Sequence, residues 1–116
     1  LAKQDFVLKK IKKNSKDKFF LLKVYKKNNK YLLVKNRNFN FLKNFNIFPM
    51  QELTKPKNFN QNLNFKLSNM NMNIKIKNDK MIKPIPFSYW IDPKKLKNYT
   101  LPTFTKKIVT YLENHK

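Results

Sequence analysis

The sequence predicts an α+β domain of about five strands followed by two short helices. Three observations carry that expectation. Apolar and polar residues alternate from Leu63 to Leu67 and again from Met70 to Ile76, the period of a half-buried strand. Two runs upstream, Phe19–Tyr25 and Tyr31–Lys35, are built of aromatic, β-branched and leucine residues, which suit a pleated surface. The C-terminal part holds an Asp-Pro start at Asp92-Pro93 and an amphipathic stripe after Pro102.

Taken in chain order, residues 1–17 form a basic linker or tail. Phe6, Val7 and Leu8 are candidates for a short edge strand, and Lys9-Lys10-Ile11-Lys12-Lys13 is a charge run. That run reads equally as a solvated linker and as a track along a phosphate backbone. Residues 18–116 form the domain proper. Phe19–Tyr25 and Tyr31–Lys35 are expected to pair as a hairpin through Lys26-Lys27-Asn28-Asn29-Lys30, where asparagine tolerates the left-handed backbone. Residues 36–51 read as a long loop rich in aromatics, and 54–60 as irregular chain. Phe39, Phe41 and Phe45 either fill the space beneath the loop or stack on unpaired bases.

The alternating segment divides in two. Leu63, Phe65 and Leu67 alternate with Asn64 and Lys66; Met70, Met72, Ile74 and Ile76 alternate with Asn71, Asn73 and Lys75. The phase breaks at Ser68-Asn69. Across a two-residue hairpin loop the flanking residues pair directly and share a face. Leu67 and Met70 should therefore pair, which brings both apolar rows to one side. An unbroken strand would instead expose one row to water.

Asn78-Asp79-Lys80 is a turn, and Lys83-Pro84-Ile85-Pro86 is extended by its prolines. Phe87–Ile91 is a strand in which Tyr89 and Trp90 point to opposite faces. Asp92 caps a short helix that has Pro93 in its first position and ends near Asn98. Pro102 opens the last helix, with Phe104, Ile108, Tyr111 and Leu112 as its apolar stripe and Lys106 and Lys107 facing away. There are no internal repeats.

Composition narrows the chemistry. The chain begins at Leu1 rather than Met, as a piece of a longer protein would. No apolar run approaches the length needed to cross a bilayer. Net charge is +21, from 27 Lys and Arg against 6 Asp and Glu. Such a field attracts polyanions, nucleic acid first and an anionic membrane surface second. Abundant Lys, Asn, Ile and Phe also follow from an AT-rich genome. Cysteine is absent and the single histidine is His115, so a disulfide, a thiol nucleophile, an iron–sulfur cluster and an ordinary zinc site are all excluded within this chain. Glycine is absent too, which excludes the usual phosphate-cradling loops and the nucleophile elbow.

Several segments resemble the C-terminal domain of adenine DNA glycosylases, the MutY family. Leu32-Leu33-Val34-Lys35-Asn36-Arg37 is similar to that family's Leu-Leu-x-x-Arg strand. Asn40-Phe41-Leu42-Lys43-Asn44-Phe45-Asn46-Ile47-Phe48-Pro49 is similar to its Gly-Leu-Leu-x-Gly-Leu-Trp-Glu-Phe-Pro loop, with Asn40 and Asn44 at the glycine positions, Asn46 at the Trp and Ile47 at the Glu. Tyr99-Thr100-Leu101-Pro102-Thr103 is similar to the closing Tyr-Ala-Leu-Pro-Thr run, with Thr for Ala. Leu67-Ser68-Asn69 stands where the family has its Phe-Ser-His element. The resemblance spans roughly Lys18 to Leu112 and implies a Nudix-like sheet fold without Nudix catalysis. A Nudix hydrolase holds magnesium with several glutamates on one helix, and this chain has only Glu52 and Glu113.

The resemblance implies a function as well. It makes the chain the 8-oxoguanine-recognition domain of an adenine DNA glycosylase, itself without catalytic residues or cofactor. The catalytic domain, with its four-cysteine iron–sulfur cluster, would lie upstream. The implied partners are double-stranded DNA carrying an 8-oxoguanine:adenine mispair and that missing domain, with no membrane. The expected state is a monomer, and the expected setting is the bacterial cytoplasm and nucleoid. Ser68 would touch the oxidised base, flanked by Leu67 and Asn69, while Lys66, Arg37 and Lys43 would meet phosphates. On spacing alone Ser68 is an ordinary turn residue. The competing reading is a basic structural or accessory protein, ribosomal or organellar, that coats RNA without reading it; such a protein needs no particular residue at position 68.

Overall fold

The computed structural model describes residues 16–67, 69–80 and 83–115. The expected edge strand at 6–8, the charge run at 9–13 and Ser68 lie outside the described residues. Eight strands are present among those described, with a 3₁₀ helix and one α-helix after them. They form two four-stranded sheets, and the chain divides into two compact units.

The first unit comprises the described residues of 16–21 and 51–75. It holds most of the sheet of strand order β5-β1-β7-β6, with β1 at Lys16–Val24, β5 at Met50–Leu53, β6 at Leu63–Leu67 and β7 at Met70–Asn78; residues 22–24, 50 and 76–78 of these strands count with the second unit. On β1, Phe20, Leu22 and Val24 are buried at alternate positions, as the period of a strand requires. On β7 the alternate residues Met72 and Ile74 are fully buried. Phe19, on the other side of β1, is half-buried and meets Phe59 edge-to-face at 5.2 Å, a favourable aromatic geometry.

The second unit comprises 22–50 and the described residues from 76 on. At its centre is β3, Lys30–Lys35. One edge of β3 pairs antiparallel with β8, Ser88–Ile91, in the register Tyr31↔Ile91 to Val34↔Ser88. Its other edge takes β2, Lys26–Lys27, and β4, Asn46–Ile47, also antiparallel. Tyr31, Leu32 and Leu33 are buried in succession, so β3 is covered on both faces. The α-helix α1, Thr103–Asn114, packs here. Its Thr105 hydroxyl donates to the Asn46 carbonyl of β4 at 2.7 Å. Near its other end, Glu113 accepts a hydrogen bond from the Tyr31 hydroxyl at 2.5 Å.

Four local expectations change. The pair Phe19–Tyr25 with Tyr31–Lys35 is not one long hairpin. The Val24 carbonyl accepts from Asp79 N–H, whereas the next carbonyl, Tyr25, accepts from Leu32 N–H. The chain thus changes partner between these two residues, and only β2 folds back on β3. Lys27↔Lys30 closes that turn, with Asn28 at φ 51° and Asn29 at φ 62°, the positive values a two-residue type I′ turn needs. Second, the loop of 36–51 contains β4 and the start of β5; two residues of strand are too short to show a period. Third, the buried stripe of α1 is Phe104, Thr105, Ile108 and Val109, while Tyr111 and Leu112 are half-buried. Thr105 can face inward because Asn46 satisfies its hydroxyl. Fourth, the helix after Asp92 is a 3₁₀ helix, Pro93–Asn98, broken at Lys95. Asp92 caps it as expected, accepting from Lys94 N–H at 3.0 Å.

Candidate nucleic-acid interface

In the first unit the hairpin register runs from Leu63↔Ile74 through Phe65↔Met72 to Leu67↔Met70. That last pair leaves only positions 68 and 69 to connect β6 and β7. The two apolar rows share one face, and Asn64, Lys66, Asn71 and Asn73 share the other. The position of Ser68 is not described. Asn69 is exposed, and its carbonyl accepts from Lys16 N–H at 2.8 Å, which ties the connection to the start of β1. Leu67 is half-buried and Lys66 is exposed opposite Asn71. Lys66, Leu67 and Asn69 are therefore together at one end of the hairpin.

The polar face is an amide network. The Asn64 side-chain amide donates to Asn71 Oδ1 at 3.0 Å, Asn73 Oδ1 at 3.0 Å and the Met72 carbonyl at 3.2 Å. Two N–H hydrogens serve three acceptors, so one is shared. Asn71 donates in turn to Asp17 Oδ1 at 2.6 Å, and Asn73 to the Lys18 carbonyl at 3.2 Å. Asp17 is thus engaged as an acceptor, and Glu52 pairs with Lys18 at 3.4 Å. Among the described residues no cluster of three or more His, Asp or Glu side chains is arranged to hold a metal ion.

Arg37 and Lys43 belong to the second unit, on the loop between β3 and β4, and both are exposed. One buried side chain organises this loop. Asn36, 3% exposed, donates from its amide to the carbonyls of Phe41 at 2.5 Å and Leu42 at 3.0 Å, and accepts from Phe39 N–H at 3.0 Å. Its backbone adds bonds to Asn44 and Phe45. Asn44 sits at φ 69°, the left-handed value expected at a glycine position. Asn40 does not; Leu42, at φ 49°, makes the second left-handed turn. Phe39 and Phe41 stack on each other at 5.0 Å, and Phe45 is 46% exposed.

Sequence reasoning missed one aromatic. Phe87 precedes β8 instead of starting it, at φ 57° and 64% exposed, with the Arg37 guanidinium 4.4 Å from its ring centre. No periodicity or turn propensity marks it. Two tyrosine hydroxyls in this unit titrate above their ordinary 10.0. Burial is the larger cause for both; Glu113 adds to it at Tyr31 and Tyr99 at Tyr89. Neither lies at an exposed surface suited to proton transfer.

The two-sheet α+β arrangement, with its 3₁₀ helix and closing α-helix, fits a Nudix-like fold. A solved counterpart makes this concrete. In the crystal structure of the complex between the C-terminal domain of mouse MUTYH and human PCNA, the match has a TM-score of 0.57 at 15% identity. It covers 84% of this chain and 88% of the other. At that identity the likeness is one of fold. No protein-family model and no curated protein sequence matches the chain.

Proposed function

We propose that this chain is a DNA-recognition domain of the kind that accompanies adenine DNA glycosylases, and that it tests for 8-oxoguanine opposite adenine. The observation that supports this best is the β6–β7 hairpin, closed by Leu67↔Met70 with only positions 68–69 between its strands. It is carried on a fold similar to that of the MUTYH C-terminal domain. In this reading Ser68 contacts the oxidised base, and Leu67 and Asn69 flank it. Lys66, Arg37 and Lys43 neutralise phosphates, contacts that position DNA without reading it. The chemistry of base removal belongs to a separate helical domain, and the setting is the bacterial nucleoid.

The experiment is binding to matched duplexes with and without one 8-oxoguanine, across a salt series. The net charge of +21 acts on both duplexes alike and sets the salt slope. The base contact appears only in their ratio. A good polar base contact is worth about 1–3 kcal/mol, so Ser68→Ala should lower the lesion preference roughly tenfold to a hundredfold. Equal preference in both chains removes Ser68 from the site. Indifference of the wild type to the lesion, with tighter binding to structured RNA, favours the RNA-coating reading instead.

A further inference from the structure

Phe87 combines two costs that a folded chain normally avoids. A bulky side chain stands 64% exposed, and its backbone is in the left-handed region at φ 57°, where such residues are genuine outliers. Conformations of this kind persist only where their surroundings impose them, and they gather at ligand clamps. Here the Phe87 carbonyl accepts from Lys35 N–H at 3.1 Å, and the next residue, Ser88, donates its hydroxyl to the Ile85 carbonyl at 2.5 Å. The backbone is therefore fixed on both sides of the ring.

The ring borders a groove of about 370 Å³ within the second unit, near the low end for small-ligand sites, about 300–1,000 Å³. Phe39 and Ile85 give it apolar walls, and Lys35 and Arg37 supply its charge; among the described residues no carboxylate lines it. Arg37 covers one face of Phe87 at 4.4 Å and pairs with no carboxylate among the described residues. Its N–H groups remain for an anion, and stacking on the ring holds the guanidinium in place. An aromatic face beside unneutralised cations complements a planar base joined to a phosphate.

We propose that this groove takes one unpaired nucleotide of a single-stranded nucleic acid, with the base stacked on the open face of Phe87 and the phosphate on Arg37 and Lys35. The groove belongs to the other unit from the hairpin; it shares Arg37 with the phosphate contacts proposed above, but its base stack on Phe87 does not depend on lesion recognition. Sequence tolerance follows, because every base offers a π-face.

The test uses the whole chain and two fluorescent decamers, oligothymidylate and an abasic strand with the same number of phosphates, at about 0.2 M salt. Wild type should bind the thymidylate roughly fivefold to a hundredfold more tightly, the range of one base–aromatic stack. Phe87→Asn should abolish that preference while raising the thermal midpoint, since asparagine accepts the left-handed backbone far more readily. Arg37→Gln should weaken both strands and reduce the salt slope by about 0.7. Equal binding of the two strands by wild type would overturn the proposal. So would a base preference that survives Phe87→Asn in a chain whose midpoint confirms that it folds.

Discussion

In the β6–β7 hairpin, Asn64, itself exposed, makes three side-chain hydrogen bonds, one exposed and two half-buried. In the loop after β3, Asn36 also makes three, at 3% exposure. The residue type and the number of bonds are the same. What differs is the alternative open to each partner if the side chain is removed. Water can replace Asn64. Around Asn36 the carbonyls of Phe41 and Leu42 and the Phe39 N–H would each lose a bond to a buried amide, the Leu42 carbonyl keeping the Phe45 N–H, and a buried polar group that loses its bond costs more than a made bond contributes. The hairpin is also held redundantly, by five register pairs and an apolar row, whereas the loop is gathered around one amide and a few backbone bonds.

Asn36→Ala should therefore have the largest effect, a loss of about 3 kcal/mol in urea unfolding, given about 1–3 kcal/mol when a buried polar group loses its bond. Hydrogen exchange should show the amides of Phe39, Asn44 and Phe45 losing protection. A loss below about 1 kcal/mol would mean that the loop has support beyond this side chain.

An intermediate case tests whether burial is the deciding variable. Tyr31, 2% exposed, donates to the Glu113 carboxylate. Tyr31→Phe keeps the ring and its edge-to-face contact with Phe48, yet should cost about 1.5–3 kcal/mol, the range for a bond to a charged acceptor. The substitution also has a pH signature. The hydroxyl titrates higher when folded than its ordinary 10.0, so the neutral form is the one folding favours. Its contribution is complete below pH 10.0 and is lost as pH rises above that value. The stability gap between wild type and Tyr31→Phe should therefore be flat at neutral pH and shrink in alkali. A gap that widens there would reverse the assigned direction.

The smallest effect belongs to Asn64→Ala, below about 1 kcal/mol, because Asn64 itself is exposed and water can take its place at little net loss. If thermal unfolding places Asn64→Ala level with Asn36→Ala, burial does not separate the two regions. The amide network would then act cooperatively.

These two regions also divide what sequence reveals. The hairpin was legible because its period and its single phase break are properties of consecutive residues, and Leu67↔Met70 pairs as the break at Ser68-Asn69 requires. The cap at Asp92 was legible for a similar reason, since it reaches only two residues along the chain. The role of Asn36 was not. It stands among other asparagines at 38, 40, 44 and 46, and what distinguishes it is burial at the end of β3. Asn44 carries the left-handed backbone expected of it, but Leu42 rather than Asn40 carries the other, because carbonyls fixed by Asn36 set where the loop turns. The candidate site divides in the same way. Leu67 and Asn69, named by the resemblance with Ser68, lie together with Lys66 because the hairpin ends there, while Ser68 itself lies outside the described residues. Arg37 and Lys43 belong to the other unit, and Arg37 faces an aromatic that no local pattern had marked.

One compositional feature reaches beyond the folded state. The sequence has no glycine, and asparagine occupies the left-handed turn positions 28, 29, 44 and 58. A side chain at each reversal thins the denatured ensemble relative to glycine, and asparagine keeps small the cost that a Cβ carries in the left-handed region. The chain therefore starts its search for the native state from a smaller set of shapes than one with glycine at these bends.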